Sequence, residues 1–257
     1  MLADRRILLY FLLSFLLTPC AFGWGADGHR IIGALAQEQL TPAAAAAVAA
    51  LLSGEPVPSL DGVATWADDV RSTATSRLHY VNLGPQCSYI PQRDCPGRQC
   101  IVAAIEDNAA LLQSPSATAA ARSIALKNLV HFVGDIGMPL HALGADKGGN
   151  TFQLQALGKG TNLHALFDTG LIRSQGGYSS AYLAEVRALI RSISPEAFAP
   201  FSWAEQSCSI AMSPGFFPSS HVLPDGYVDQ WLPVVNRQLA LSAVRLSSIL
   251  NRIFQTP

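Results

Sequence analysis

Apolar residues recur along most of the chain at spacings of three and four, the period of helices that bury one face. In 24–40 a polar, glycine-bearing start, WGADGHR, runs into the helical pattern IIGALAQEQL. Thr41-Pro42 reads as an N-cap followed by proline at the first helical position, and the alanine run to Leu52 is strongly helix-forming. A Pro/Gly connector over 53–61 leads to a short helical turn in TWADDVR, and 77–83 delivers LHYVN in extended or helical form. Loop is expected over 84–100, a helix over 101–113, and a longer helix over 119–141 that ends at a Pro139 kink. Proline removes a backbone donor and disfavours the helical conformation of the residue before it, Met138. ADKGGNTFQL reads as a loop or small hairpin, and helices are expected over 162–169, 178–192 and 229–253. Two-residue alternation is almost absent, and neither a domain boundary nor a long repeat appears. The pattern predicts an all-α protein, one compact helical domain with long loops.

The 257 residues are 49% hydrophobic and 14% charged, enough for one sizeable core. The first 23 change the compartment. Arg5 and Arg6 precede an apolar run over 7–17 and a small-x-small exit at Ala21-Phe22-Gly23, the layout of a secretory signal peptide. The expected domains are therefore a signal over 1–23 and a secreted or periplasmic domain over 24–257 that starts at Trp24. Cleavage before Cys20, as in a lipoprotein, is the competing reading, and Thr18-Pro19 is a poor approach to such a site. No other apolar run approaches the roughly 20 residues a bilayer span needs, so no membrane anchor is expected.

Loss of Arg5, Arg6 and Asp4 with the signal takes the formal charge from -1 to -2. A chain that held nucleic acid by side-chain charge alone would be distinctly basic. Any phosphate bound here needs another positive source, and metal cations are the natural one. Four cysteines remain after Cys20 leaves: Cys87, Cys95, Cys100 and Cys208. An even number in an exported chain suggests two disulfides. The short loop RDCPGRQC favours Cys95 with Cys100, leaving Cys87 with Cys208 as a long staple. Cysteine ligation of zinc is the alternative.

The candidate chemistry centres on HFVGDIGMPLH. His131 and Asp135 are four apart, one turn along one helix face, which suits two ligands of one metal. Past the Pro139 kink, His141 is released from that helix's phase and can turn to a second metal. NLHALFD repeats the geometry with His164 and Asp168. Five of the six histidines, His29, His79, His131, His141 and His164, fall in segments that carry an acid or a reachable polar terminus. Histidine and carboxylate together make sites for zinc. His221 lies outside every motif and is assigned no role.

These motifs resemble the zinc-dependent, single-strand-specific nucleases of the S1 and P1 type, whose fold a zinc phospholipase C shares. The resemblance runs from Trp24 to the terminal helix through WGADGH, WADDVR, LHYVN, HFVGDIGMPLH, GGN and NLHALFD, in family order and spacing, and the cysteine pattern matches the family's two bridges. It implies a trinuclear zinc cleft. Asp68, His79, His131 and Asp135 would hold one zinc. The α-amino group and carbonyl oxygen of Trp24, with His29 and a shared Asp135, would hold its neighbour. His141, His164 and Asp168 would hold the third. Only signal cleavage frees the Trp24 amine.

By the same resemblance, the activity is endonucleolytic hydrolysis of single-stranded DNA and RNA to 5′-phosphate products, with 3′-nucleotidase activity on 3′-nucleotides, by a monomer. Asp68 would ligate metal and orient the nucleophile, and Arg71 would stabilise phosphoryl charge; the bland alternative for Arg71 is a surface pairing with Asp68 or Asp69. Tyr80 matches a base-stacking position. Asn82 stands where fungal relatives carry an aspartate that bonds the base, and Lys147 at a position apolar in a fungal relative, so base preference does not carry over. Asn150 after two glycines is expected to contact substrate, or to serve only as a turn residue. A zinc phospholipase C is the nearest rival, and its pattern has glutamate at Asp168 and lacks these cysteines. A non-catalytic zinc-binding protein is the rival from another class.

Overall fold

The computed structural model describes residues 24–255. The expected signal segment 1–23, with its proposed cleavage point, lies outside the described residues. Helix α1 (Ala26–Gln37) and helix α2 (Pro42–Leu52) meet at Thr41, whose hydroxyl accepts from the Ala44 amide while Pro42 occupies the first turn. A helical turn, α3 (Trp66–Asp69), and a 3₁₀ turn, Ser76–His79, follow. Within the expected loop 84–100 a short turn, α4 (Pro91–Asp94), stands before the Cys95–Cys100 disulfide. The second disulfide joins Cys87 to Cys208.

Helices α5 (Ile101–Gln113) and α6 (Ala119–Asp135) pack against each other, with Thr118 capping the second through the Ala121 amide. The expectation that this helix reaches His141 is corrected: α6 ends at Asp135, and His141 sits in a separate 3₁₀ turn, Pro139–Ala142. Met138 is extended, as the proline after it requires. Gly137 gives the chain room to turn, because a Cβ there would lie 2.1 Å from Ser242 Oγ.

After a tight turn, α7 (Asp146–Gly149), strand β1 (Gln153–Ala156) pairs antiparallel with β2 (Lys159–Asn162) around Leu157 and Gly158, both left-handed. This hairpin is the only sheet among the described residues. Asn162 caps α8 (Leu163–Ala165), which continues through a π turn, Leu166–Gly170, into α9 (Leu171–Ser174). Helix α10 (Ser180–Ile190) follows the expected course; α11 (Pro200–Ala211) has no counterpart in the sequence reading. The long α12 (Tyr227–Ile253) runs against α1 and α10 and reaches α2, α5 and α6. No described helix is long and apolar enough to cross a membrane.

Candidate metal centre

Six segments deliver the polar cluster. Helix α6 presents His131 and Asp135 one turn apart, Nε2 3.2 Å from the carboxylate, as their spacing requires. Helix α1 brings His29 against that face, its Nε2 3.2 Å from the other Asp135 oxygen. The approach depends on Gly134, where a Cβ would lie 2.8 Å from His29 Nδ1. Helix α3 adds Asp68, whose Oδ1 is 3.6 Å from both His79 Nδ1 and His131 Nε2. Its neighbour Asp69 is exposed and accepts from the Thr65 hydroxyl, so the turn itself separates the two aspartates. Lys127, one turn before His131, holds α3 in place: its Nζ lies 4.3 Å over the Trp66 ring and 2.7 Å from Glu55.

His79 and His141 arrive together. The Val81 amide donates to His141 O and the Leu83 amide to Ala142 O, which zips 79–83 onto the turn after α6. The side chains of Val81 and Leu83 are buried, leaving Tyr80 and Asn82 to the cleft. Across from them, the α8 segment carries His164 and Asp168, with Nε2 3.0 Å from the carboxylate. The His141 and His164 rings stack at 5.1 Å. Trp24 is fully buried at the start of the described chain, and the Gly25 amide beside it donates to Asp168 O, linking that end to the third pair.

Three histidines are oriented by backbone carbonyls, which can only accept, so Nδ1 carries the proton and Nε2 faces inward. His131 donates to Ala64 O at 2.8 Å, His141 to His79 O at 2.7 Å and His164 to Gly148 O at 2.6 Å. His79 instead turns Nδ1 to Asp135, 3.0 Å away.

Burial governs the electrostatics. It pulls His29 down to about 4, helped by the neighbouring His131, and His141 down to about 3. It pushes Asp168 up to about 7 and raises Asp68. His131 is buried as deeply, but the Asp135 charge overrides that penalty and raises it to about 9. Asp135 is buried too, yet His131 and His141 hold it well below the ordinary carboxylate range.

The groups that could hold an ion are His29 with His131 and Asp135; Asp68 with His79 and His131; and His141 with His164 and Asp168. His131 reaches both of the first two, and Asp135 touches His29, His79 and His131. Both Nδ1 and Nε2 of His29, Nε2 of His79 and His131, and Oδ1 of Asp68, Asp135 and Asp168 are buried without a hydrogen-bond partner. Leaving a polar atom in that state costs about 1–3 kcal/mol. Cations would satisfy this set at once, and the donors suit zinc.

A cleft of about 660 Å³ has His141 and His164 in its wall. Arg71, Tyr80, Asn82, Lys147 and Asn150 line it, so the sequence-selected substrate residues converge there. The Arg71 guanidinium is 3.7 Å from Asp68. Asp146, Lys147, Gly148 and Gly149 all have positive φ. A Cβ on Gly148 would lie 2.6 Å from Leu140 O, so the glycine is required there. Asn150 pins this turn by donating to Lys147 O at 2.8 Å, and thus is a turn residue as well as part of the wall. Thr151, Gln153 and Asn162 also line the cleft without having been selected from sequence. Only Asn162 carried a local signal, as the residue before a helical LHALFD pattern.

The family model described as S1/P1 Nuclease matches residues 24–255. Among similar curated proteins, Endonuclease 2 of Arabidopsis thaliana is 34% identical over 92% of this chain and 92% of its own length. Nuclease S1 of Aspergillus oryzae is 27% identical over 94% and 95%, and Nuclease P1 of Penicillium citrinum 27% over 90% and 97%.

Proposed function

This chain belongs to the S1/P1 nuclease family, and on that premise we propose that it is an exported, zinc-dependent endonuclease that hydrolyses single-stranded DNA and RNA to 5′-phosphate products and acts as a 3′-nucleotidase. The observation that carries the reading is the meeting of three His/Asp groups, rich in unpartnered buried atoms, with a cleft lined by Arg71 and Tyr80.

Asp68, His79, His131 and Asp135 would hold one zinc, Trp24, His29 and Asp135 a second, and His141, His164 and Asp168 a third. Bound zinc makes a water-derived nucleophile available at neutral pH and offsets the charge of the phosphodiester. Asp68, which stands between His79, His131 and the cleft-lining Arg71, accepts a proton from the attacking water and orients it. Arg71 donates to the phosphoryl oxygens, where negative charge grows as the bond breaks. The Tyr80 ring offers a stacking face, which only an unpaired base can reach; this is the source of the preference for single strands. Asn82 presents a donor and an acceptor to the base edge. Lys147 and Asn150 close the opposite wall around the substrate backbone.

The test combines metal content, N-terminal sequencing and cleavage of one single-stranded DNA, its duplex and phosphatidylcholine, before and after chelation. Zinc in the purified protein, a Trp24 N-terminus and single-strand cleavage that chelation abolishes are expected. Full-rate cleavage without divalent ions, or lipid turnover without DNA cleavage, overturns the reading.

A further inference from the structure

We propose that His221 is a second base-stacking platform, taking an unpaired nucleobase of the single strand beyond the nucleotide held at Tyr80; the inference rests on the nuclease reading above. The segment carrying His221 touches β1 through a single parallel bridge between Val222 and Gln155. The Gln155 amide donates to His221 O at 2.7 Å, and the Leu223 amide donates to Gln155 O at 3.0 Å. The imidazole is fixed twice. Its Nδ1–H donates to Gln153 O at 2.6 Å, and one ring face lies on Phe152, with centroids 5.3 Å and planes 30° apart. Phe152 is in turn braced edge-on by Phe217 at 5.5 Å.

Despite these anchors His221 is exposed. A surface histidine kept only for solubility gains nothing from being immobilised. A planar ring held flat on a braced aromatic, with its orientation set in advance, is what a nucleobase needs for stacking, because the ordering cost is met before binding. Its Nε2, not engaged by the Gln153 bond, is available to hydrogen-bond a base edge.

Position supplies the occupant. His221 is bonded to the backbone of Gln153, whose side chain lines the same cleft as Tyr80. The platform therefore lies next to a cleft-lining residue on the β1 side, outside the cleft wall itself. On this proposal a dinucleotide stays within the cleft, and only a longer strand is long enough to engage His221.

Steady-state cleavage of a dinucleotide and of a single-stranded octanucleotide by the zinc-loaded wild type, His221→Ala and His221→Phe tests this. For His221→Ala, KM on the octanucleotide rises about five- to tenfold while kcat and the dinucleotide KM stay within about twofold. His221→Phe, which keeps a stacking face, restores the octanucleotide KM. An unchanged octanucleotide KM, or equal change on both substrates, overturns the proposal. Fluorescence quenching of a 2-aminopurine octanucleotide with uncleavable linkages reads the platform separately. Binding weakened in His221→Ala and kept in His221→Phe supports it even if no variant, nor the wild type, cleaves; that last result would refute the nuclease reading alone. Should His221→Ala fold poorly by circular dichroism, His221→Gln, which lacks the ring, takes its place in both measurements.

Discussion

The rings of His29 and His131 stack with centroids 3.9 Å and planes 14° apart, and each sends Nε2 to within 3.2 Å of a different oxygen of Asp135. Two imidazolium ions at that separation, both buried, would repel strongly, and burial accordingly leaves His29 neutral. Asp135 is the group that makes the stack tolerable, and it faces His79 as well. On the proposed ligand sets, Asp135→Asn is therefore expected to lose the metal held by His29, His79 and His131 while keeping that at His141, His164 and Asp168. Metal per protein, measured by mass spectrometry after dialysis, checks this.

Without metal, the cluster gives stability a defined pH dependence. His29 and His141 fold with values of about 4 and 3 against an ordinary 6.5, so the unfolded chain binds more protons between those limits and stability rises with pH. Asp168, raised to about 7, works the other way from about pH 4 upward, and Asp68 is raised in the same direction, but the larger displacements of the two histidines set the slope. From 6.5 to about 9 the folded state holds the extra proton, on His131, and stability falls. Urea midpoints of the metal-free protein should peak near pH 6.5.

Gly134 sits where α1 crosses α6. An alanine methyl there would be 2.8 Å from His29 Nδ1 and 3.3 Å from Ile32 Cδ1. Neither neighbour can retreat, since both are buried on α1. Gly134→Ala should cost about 1–3 kcal/mol, as overpacked cores do, despite its better helix propensity. It should also weaken metal binding at His29 more than at His164. Urea unfolding and metal titration together separate the two effects.

The parts of this centre that depend on spacing were legible in the chain. His131 with Asp135 and His164 with Asp168 follow from one helical turn, and His141 does leave the helix, although the helix stops at Asp135 and not at the expected Pro139 kink. Long-range placement was not. Nothing local in WADD distinguishes Asp68 from Asp69; the family pattern did so, and α3 shows why, turning one inward and the other to Thr65. Helix α11 was missed because its buried face includes Ser207 and Cys208 beside Trp203, which blurs the apolar period. Strand β2, KGTN, has no apolar residue, and its pairing comes from the Leu157-Gly158 turn. His221 drew no attention because its partner, Phe152, lies far away in sequence.

The same turn yields a paired prediction. Asp68→Asn keeps size and polarity but loses the charge that faces His79 and His131, and turnover should fall by about 10²-fold or more. Asp69→Asn removes a charge that is exposed and touches only a hydroxyl among its described contacts, and turnover should stay within about twofold. Equal losses in the two variants would mean that the carboxylates act through the fold of α3 and not through the cleft. Circular dichroism and single-strand cleavage of both proteins decide it.

The two disulfides differ in what they close. Cys87 and Cys208 are 121 residues apart, whereas Cys95 and Cys100 are separated by 5. If the bridges act by restricting the unfolded chain, the long one contributes about 5 kcal/mol and the short one about 2 kcal/mol. The long bridge also has a local consequence. It fixes α11, which packs on the Pro139–Ala142 turn that carries His141, and the Ser207 hydroxyl donates to Ile136 O just before that turn. Replacing both Cys87 and Cys208 by serine should lower the urea midpoint more than the Cys95/Cys100 double variant does. It should also weaken metal binding at the His141, His164 and Asp168 group, because His141 loses part of its support. The short-bridge variant should retain all of its metal. A larger loss of stability from the short bridge would show that loop 95–100 does more than close on itself.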